Sequence, residues 1–252
     1  MKRIALIADI HANLPALEAV LNHATEQHID VIWNLGDSVG YGAFPDQVIN
    51  RLRQEDITSL QGNYDLKVIR FPLSKKKFRR NKRLEKFQAF KWAYENISPD
   101  NRRYLATLPE QLPIQIEGKN ILITHGSPAS NEELITPETS KARLKQLALL
   151  AATYFPLDRR VDLIGSGHSH QSFSRFLQGV WFVNCGSVGR PDDGDPCASY
   201  AILNIELLTI SVQQFRIAYD VQRAVQAIRD NHLPEAFAQM ILQGRDLQSV
   251  LS

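Results

Sequence analysis

Five short clusters hold most of the residues of this chain that could do chemistry: Asp9-Ile10-His11, Gly36-Asp37, Gly62-Asn63-Tyr64-Asp65, His125-Gly126 and Gly167-His168-Ser169-His170. Singly each is weak, because D-x-H is expected by chance about 0.4 times in such a chain and an Asp after a strand is more often a turn residue. Four of the seven histidines fall inside the clusters, however, and this concentration points to one shared metal site. The donor set is Asp9, His11, Asp37, Asn63, His125, His168 and His170. Oxygen and imidazole donors without thiolate suit manganese first, and iron, nickel, cobalt or zinc as well. Two divalent ions less the charges of Asp9 and Asp37 leave an excess that matches one hydroxide and one phosphodiester anion. Such ions, roughly 3.5–4 Å apart, clamp the attacking and leaving oxygens of an in-line displacement. The chemistry expected is hydrolysis of a small phosphorylated substrate.

Residues this far apart in the chain meet only if the fold brings loop ends together. Residues 4–8 and 31–35 are continuous apolar runs, as in strands buried on both faces. Between them, 15–27 has helical spacing at Leu17, Val20, Leu21 and Ala24, with Asn13 as cap and Pro15 in the first turn. A helix over 45–54 and a strand over 57–60 continue a parallel β-α-β pattern. Residues 66–108 lose the strand signal and predict a helical, basic and aromatic insertion. Strands are then expected at 114–117 and 120–124 around a Gly118-Lys119 turn, followed by a helix over 137–154 and a strand over 161–164. Strands over 172–176, 180–184, 199–205 and 210–215 suggest an antiparallel meander, and two helices, 221–231 and 234–244, close the chain. Each polar cluster follows a predicted strand, and ligands collect at the carboxyl ends of strands in open α/β sheets. The i, i+2 spacing of D-x-H and H-x-H is read as two side chains on one side of an extended strand end. The reading is one domain, 1–252.

Composition is that of an ordinary globular protein, 44% hydrophobic and 22% charged. The run 4–8 stops at Asp9, too short for a signal peptide or a span, so no membrane partner and a cytoplasmic location are expected. Cys185 and Cys197 have no metal-binding spacing and read as reduced thiols. Residues 70–86 carry nine basic residues against Glu85 alone, while the whole chain is only +2. Such a run is a solvated helix face or a surface for an anionic partner, nucleic acid included. The chain has no G-x-x-x-x-G-K-[ST] loop and no G-x-S-x-G elbow, which argues against nucleotide kinases and serine hydrolases.

In order and spacing, the motifs D-x-H, G-D, G-N-x-D, H-G and G-H-x-H resemble the calcineurin-like metallophosphoesterase superfamily, in particular its YfcE-like bacterial and archaeal phosphodiesterase branch. Asp9-Ile-His-Ala-Asn-Leu-Pro-Ala-Leu, Gly36-Asp-Ser-Val-Gly-Tyr-Gly and Asn184-Cys-Gly-Ser-Val-Gly-Arg-Pro-Asp-Asp-Gly-Asp-Pro extend the match. The resemblance implies an α/β (α+β) fold, a four-layer αββα sandwich of two mixed sheets flanked by helices, with the helical basic insertion near the active site. It implies that Asp9, His11, Asp37 and His170 hold one ion, and that Asp37 bridges to a second held by Asn63, His125 and His168. It further implies in-line attack by a hydroxide bridging the two ions. Asn13 and the loop 184–189 are candidates for substrate-side elements or plain turns.

Where many family members have histidine after the Asn, this chain has Tyr64. Tyrosine, with a pKa near 10, is a poorer proton donor to a leaving group. Good leaving groups, as in aryl diesters or nucleotide pyrophosphates, are therefore expected to be preferred. Asp65 is expected either to orient Tyr64 or an imidazole or to be a plain turn residue; with it the candidate catalytic set is Asp37, Asn63, Tyr64 and Asp65. A nuclease would use the basic segment along a phosphate backbone and stack bases on Phe78, Phe87 and Trp92, although such aromatics are more often helix core. A non-catalytic scaffold is disfavoured because every ligand position is filled.

Overall fold

Strand β1 (Lys2–Ile7) shows how the layers arise. Ile4 and Leu6 point into an apolar layer shared with Ile121, Ile123 and Leu163, while Ala5 and Ile7 point the other way, toward Leu17, Val20 and Val48. A strand apolar on both faces needs cover on both faces. The remaining elements of the computed structural model, which describes residues 1–81, 83–156 and 160–251, supply it. Helix α1 (Leu14–Glu26) and α2 (Pro45–Gln54) lie on the outer face of the first sheet. Asn13 caps α1, its side chain accepting from the Ala16 N–H at 3.3 Å.

Strands β2 (Val31–Asn34) and β3 (Thr58–Ser59) pair parallel beside β1, as the sequence pattern predicts. The helices α3 (Asn63–Ile69), α4 (Phe71–Asn81), α5 (Leu84–Glu95) and α6 (Pro99–Thr107) form the predicted insertion, which begins three residues earlier than expected, at Asn63 itself. Lys82, in the basic run, lies outside the described residues. The second sheet is built from β4 (Gln111–Ile116), β5 (Lys119–Thr124), β6 (Leu163–Ser166), β7 (Phe173–Leu177) and β8 (Val180–Asn184). Helix α7 (Lys141–Ala152) covers its outer face through Leu144, Leu147 and Ala151.

The expected meander is corrected here. Strand β8 pairs parallel with β6, and β9 (Ala198–Ile205) leaves this sheet to pair antiparallel with β1, followed by β10 (Ile210–Ile217). Local turn signals cannot show which sheet a strand joins; the inward set Ala201, Leu203 and Ile205 does so by filling the layer between the sheets. The orders are β10-β9-β1-β2-β3 and β4-β5-β6-β8-β7, two mixed five-stranded sheets face to face between helices, which is the expected αββα arrangement. Truncating a fully buried side chain such as Leu203 in the shared layer would cost about 2–5 kcal/mol. Helices α8 (Val221–Asp230) and α9 (Glu235–Gln243) are joined by a short third, α10 (Leu247–Leu251), which the sequence reading lacked. They pack against Tyr41, Tyr64 and Ala89, so the insertion and the C-terminus meet beside the polar clusters. Among the described residues, no helix is long and apolar enough to cross a membrane.

Candidate metal centre

Each of the five clusters follows a strand: Asp9 after β1, Asp37 after β2, Asn63 after β3, His125 after β5 and His168 after β6. The strands do not present these side chains in extended conformation, as the i, i+2 reading supposed. Asp9, His11, Asp37, His168 and His170 all have positive φ, between 48° and 63°. The chain has already turned when these side chains leave it, and left-handed backbone held at several non-glycine residues marks a site that its surroundings over-determine. Gly36 and Gly62 allow two of the turns to touch, since a Cβ on Gly62 would lie 2.1 Å from both N and Oδ1 of Asp37.

The side chains gather into two adjoining groups, Asp9, His11 and His170 in one and Asp37, His125 and His168 in the other. His11 Nε2 lies 3.3 Å from His170 Nε2, and His170 Nε2 is 3.3 Å from Asp9 Oδ1. Asp37 faces both groups, Oδ1 3.5 Å from His125 Nε2 and Oδ2 3.9 Å from His11 Nε2. Backbone N–H groups aim the carboxylates: His168 donates to Asp9 Oδ2 and Tyr64 to Asp37 Oδ1, both at 2.7 Å. His170 Nδ1 lies 2.7 Å from the Arg190 carbonyl and His125 Nδ1 2.9 Å from that of Leu35, so each Nδ1–H is engaged and each Nε2 lone pair faces the centre.

These donors fit divalent ions. Asp9 Oδ1, Asn63 Oδ1 and His125 Nε2 are buried without a hydrogen-bond partner, a costly arrangement unless a cation uses them. Both groups combine carboxylate with imidazole, the set suited to manganese, iron, nickel, cobalt or zinc. Electrostatics point the same way. Burial alone would raise Asp9 and Asp37, but His170 and His125 beside them lower both carboxyls below the ordinary range. Burial and the Arg190 guanidinium take His11 down to about 3, leaving its imidazole neutral. Burial also opposes charge on His125, yet Asp37 and Asp9 outweigh it and hold the group at about 9, so the carboxylates favour a cation at this position, a proton in the protein alone and a metal ion in its place when one binds.

Tyr64 is half-buried beside the first group, its ring 5.2 Å from that of His11, and its hydroxyl lies 2.6 Å from the Tyr41 hydroxyl. Burial, with Tyr41 next to it, pushes Tyr64 well above 10, so it remains a neutral hydroxyl. Of the two roles expected of Asp65, its contacts are those of the turn residue. Its carboxylate accepts from the N–H of Gly62 at 2.9 Å and of Val39 at 3.1 Å, tying two ligand loops together instead of meeting Tyr64's hydroxyl or an imidazole. Burial, and the charge of Asp37, lift it to about 7. Asn13 is likewise structural, bridging to the Gly189 carbonyl and the Tyr219 hydroxyl. Asn184 holds the His168–His170 loop through Ser169 Oγ at 3.0 Å.

Sequence reasoning missed three neighbours. Arg190 reaches His170 Nε2 at 3.2 Å and lies over the Tyr41 ring at 5.0 Å. Its only signal was a cation inside a Gly- and Pro-rich loop. Tyr41 entered only as part of the motif running from Gly36 to Gly42, with no role of its own. Glu132 is paired with Lys67 at 2.7 Å, is held down by bonds from Lys67 and Asn63 despite partial burial, and gives its carbonyl to His168. The basic run shows both faces: Phe78 packs on Phe71 and Phe90 in the insertion's own core, whereas Lys75, Lys76, Lys77 and Arg79 are exposed.

An αββα frame whose loops converge on two such groups defines a metal-dependent phosphoesterase. The chain belongs to the calcineurin-like phosphoesterase superfamily, whose domain model matches residues 1–207. It is 31% identical to an uncharacterized protein of Methanocaldococcus jannaschii over 96% of this chain and 98% of that one. A metallophosphoesterase from Sphaerobacter thermophilus aligns at 30% identity with a TM-score of 0.72, over 96% of this chain and 99% of that chain. The fold is also that of a hypothetical protein from Pyrococcus horikoshii, with a TM-score of 0.85, 22% identity, and 97% and 99% coverage.

Proposed function

We propose that the protein hydrolyses phosphodiester or nucleotide-type pyrophosphate substrates in which the leaving group is good. The observation that carries this reading is the pair of abutting, buried donor groups that share Asp37. Asp9, His11, Asp37 and His170 would hold one divalent ion, and Asp37, Asn63, His125 and His168 a second, with manganese the first candidate. Bound there, such ions supply Lewis acidity at phosphoryl oxygens and neutralise charge that grows in the transition state.

The chain's own residues supply the rest. Asp9 and Asp37 are fixed by loop N–H groups, so the site needs little reorganisation. Tyr64, with its proton held by burial, can donate a hydrogen bond to a leaving oxygen but is a poor acid, which suits leaving groups that need no protonation. Tyr64→His is expected to raise the alkyl-to-aryl rate ratio; an unchanged ratio would refute that role.

The whole chain, 1–252, is read as one functional unit in a reducing cytoplasm, consistent with its two free thiols. A nuclease reading draws on the exposed cations of α4, but the packing of Phe78 and Phe87 in the insertion core deprives it of two of its stacking residues. The test is hydrolysis of bis-p-nitrophenyl phosphate, a monoester and dinucleoside polyphosphates after chelation and re-addition of single metals. No activity with any metal, or full activity in Asp37→Asn, would overturn the proposal.

A further inference from the structure

A cavity of about 400 Å³ opens beside the first donor group, between the insertion and the C-terminal helices. Tyr41, Tyr64 and Arg190 form its inner wall, and Arg83 and Lys86, from the start of α5, face it from the insertion. The inner wall is continuous with the metal centre, because Tyr64 and Tyr41 stack edge-on to His11 and Arg190 reaches His170. Three cations and two carboxylates, Asp192 and Asp246, thus line a net positive cavity whose inner wall is also a wall of the metal centre. The buried Nε–H of Arg190 has no acceptor in the protein. A buried guanidinium donor without a partner is costly, and an oxyanion that offers several acceptor oxygens, as a phosphate does, is what the fork fits.

We infer that this cavity is a subsite for a second phosphate, on the leaving-group side of the bond that is cut, so that the substrate class is phosphoanhydrides such as nucleoside polyphosphates. This rests on the hydrolase reading above and narrows it from diesters and pyrophosphates to the latter. One phosphoryl group sits at the Asp and His donors and the next lies against Arg190, with Arg83 and Lys86 meeting its outer oxygens. Water's oxygen bonds to the first phosphorus and the bridging P–O bond breaks, the bridging oxygen departing with the second phosphate. Of the two water protons, one stays on the attacked phosphate and one passes to the leaving phosphate. The leaving group is then a phosphate, whose low basicity demands no strong acid.

The test uses Arg83→Gln/Lys86→Gln, with the charge reversal Lys86→Glu as a second variant; both sites are at least partly exposed, and far-ultraviolet circular dichroism checks the fold. The probe for binding is inorganic pyrophosphate, titrated calorimetrically into protein kept in chelator. Wild type should bind it, and the double variant about 10- to 100-fold more weakly, the range for loss of charge-assisted bonds. With metal restored, kcat/KM for ADP should fall at least tenfold more than that for bis-p-nitrophenyl phosphate, and KM should carry most of the fall. Equal pyrophosphate binding by wild type and variants, or an unchanged ADP-to-diester ratio, overturns the subsite while leaving the hydrolase reading intact. A fall confined to a single-stranded oligonucleotide also overturns it, in favour of a backbone track. If wild type hydrolyses nothing with any metal, the hydrolase reading fails, and the calorimetric arm alone decides whether the cavity binds phosphate.

Discussion

Gly62→Ala tests whether the contact of two ligand loops sets the geometry of the site. The new Cβ would lie 2.1 Å from Asp37 N and Oδ1, where ordinary contact begins at 3.4 Å, so the loops must part by about 1.3 Å. Asp37 is the carboxylate that faces both donor groups, and Asn63 is the next residue after Gly62, so the displacement falls on both sides of the second group. A misplacement of about 1 Å at a reacting centre costs on the order of 100-fold in rate, near 2.7 kcal/mol. Manganese affinity should weaken by about 10- to 100-fold, as when the supports of metal ligands are lost. The assays are manganese titration of chelated protein and kcat/KM on bis-p-nitrophenyl phosphate, with a thermal melt to show that the fold persists. Gly118→Ala is the control. Gly118, unlike Gly62, has positive φ, but its Cβ would meet only Leu207 Cδ1, at 3.3 Å, in the turn between β4 and β5. It should lose stability without loss of metal affinity. If Gly62→Ala stays within twofold of wild type in both assays, contact between the loops does not govern the site.

Asp65→Asn should destabilise the fold by about 2 kcal/mol in urea unfolding, because an amide cannot accept from both Gly62 and Val39 as the carboxylate does; an unchanged midpoint would contradict the tie. Asn184→Ala should weaken manganese binding about tenfold by releasing the His168–His170 loop, and an unaltered titration curve would show that loop to be self-supporting. Tyr200 is buried in the core, with its hydroxyl 2.6 Å from His23 Nδ1, and burial pushes it up to about 12. Its folded-state pKa lies above the unfolded value of 10, so its stabilisation is complete below pH 10 and is lost as pH rises toward 12. Alkaline unfolding of wild type should steepen in that window and flatten in Tyr200→Phe; identical profiles would reject the assignment.

The opening β-α-β-α-β segment and the convergence of the Asp and His clusters were legible because each depends on local pattern: apolar runs, a capped amphipathic helix, and polar residues placed after strands. The departure of β9 to the first sheet was not, since it is decided by which layer Ala201 and Leu203 fill, a property of residues 200 positions away in β1. The choice between the two roles of Asp65 stayed open for a related reason. Its position beside Asn63 suggested chemistry, while its bond to Val39, 26 residues back, exists only once the loops have met. Arg190 and Tyr41 escaped notice because a cation and an aromatic ring on separate loops carry no meaning until they stack.

Asn63 is both a donor of the candidate site and the first residue of α3, the helix from which the insertion grows. Helices α3 and α5 share the insertion's core, and the start of α5 carries two of the three cations that line the cavity. Reshaping the insertion for a different substrate would therefore pull on the root of a metal ligand. Lineages that change what they cut would have to retune which ion they hold, and selection on one trait would be felt in the other.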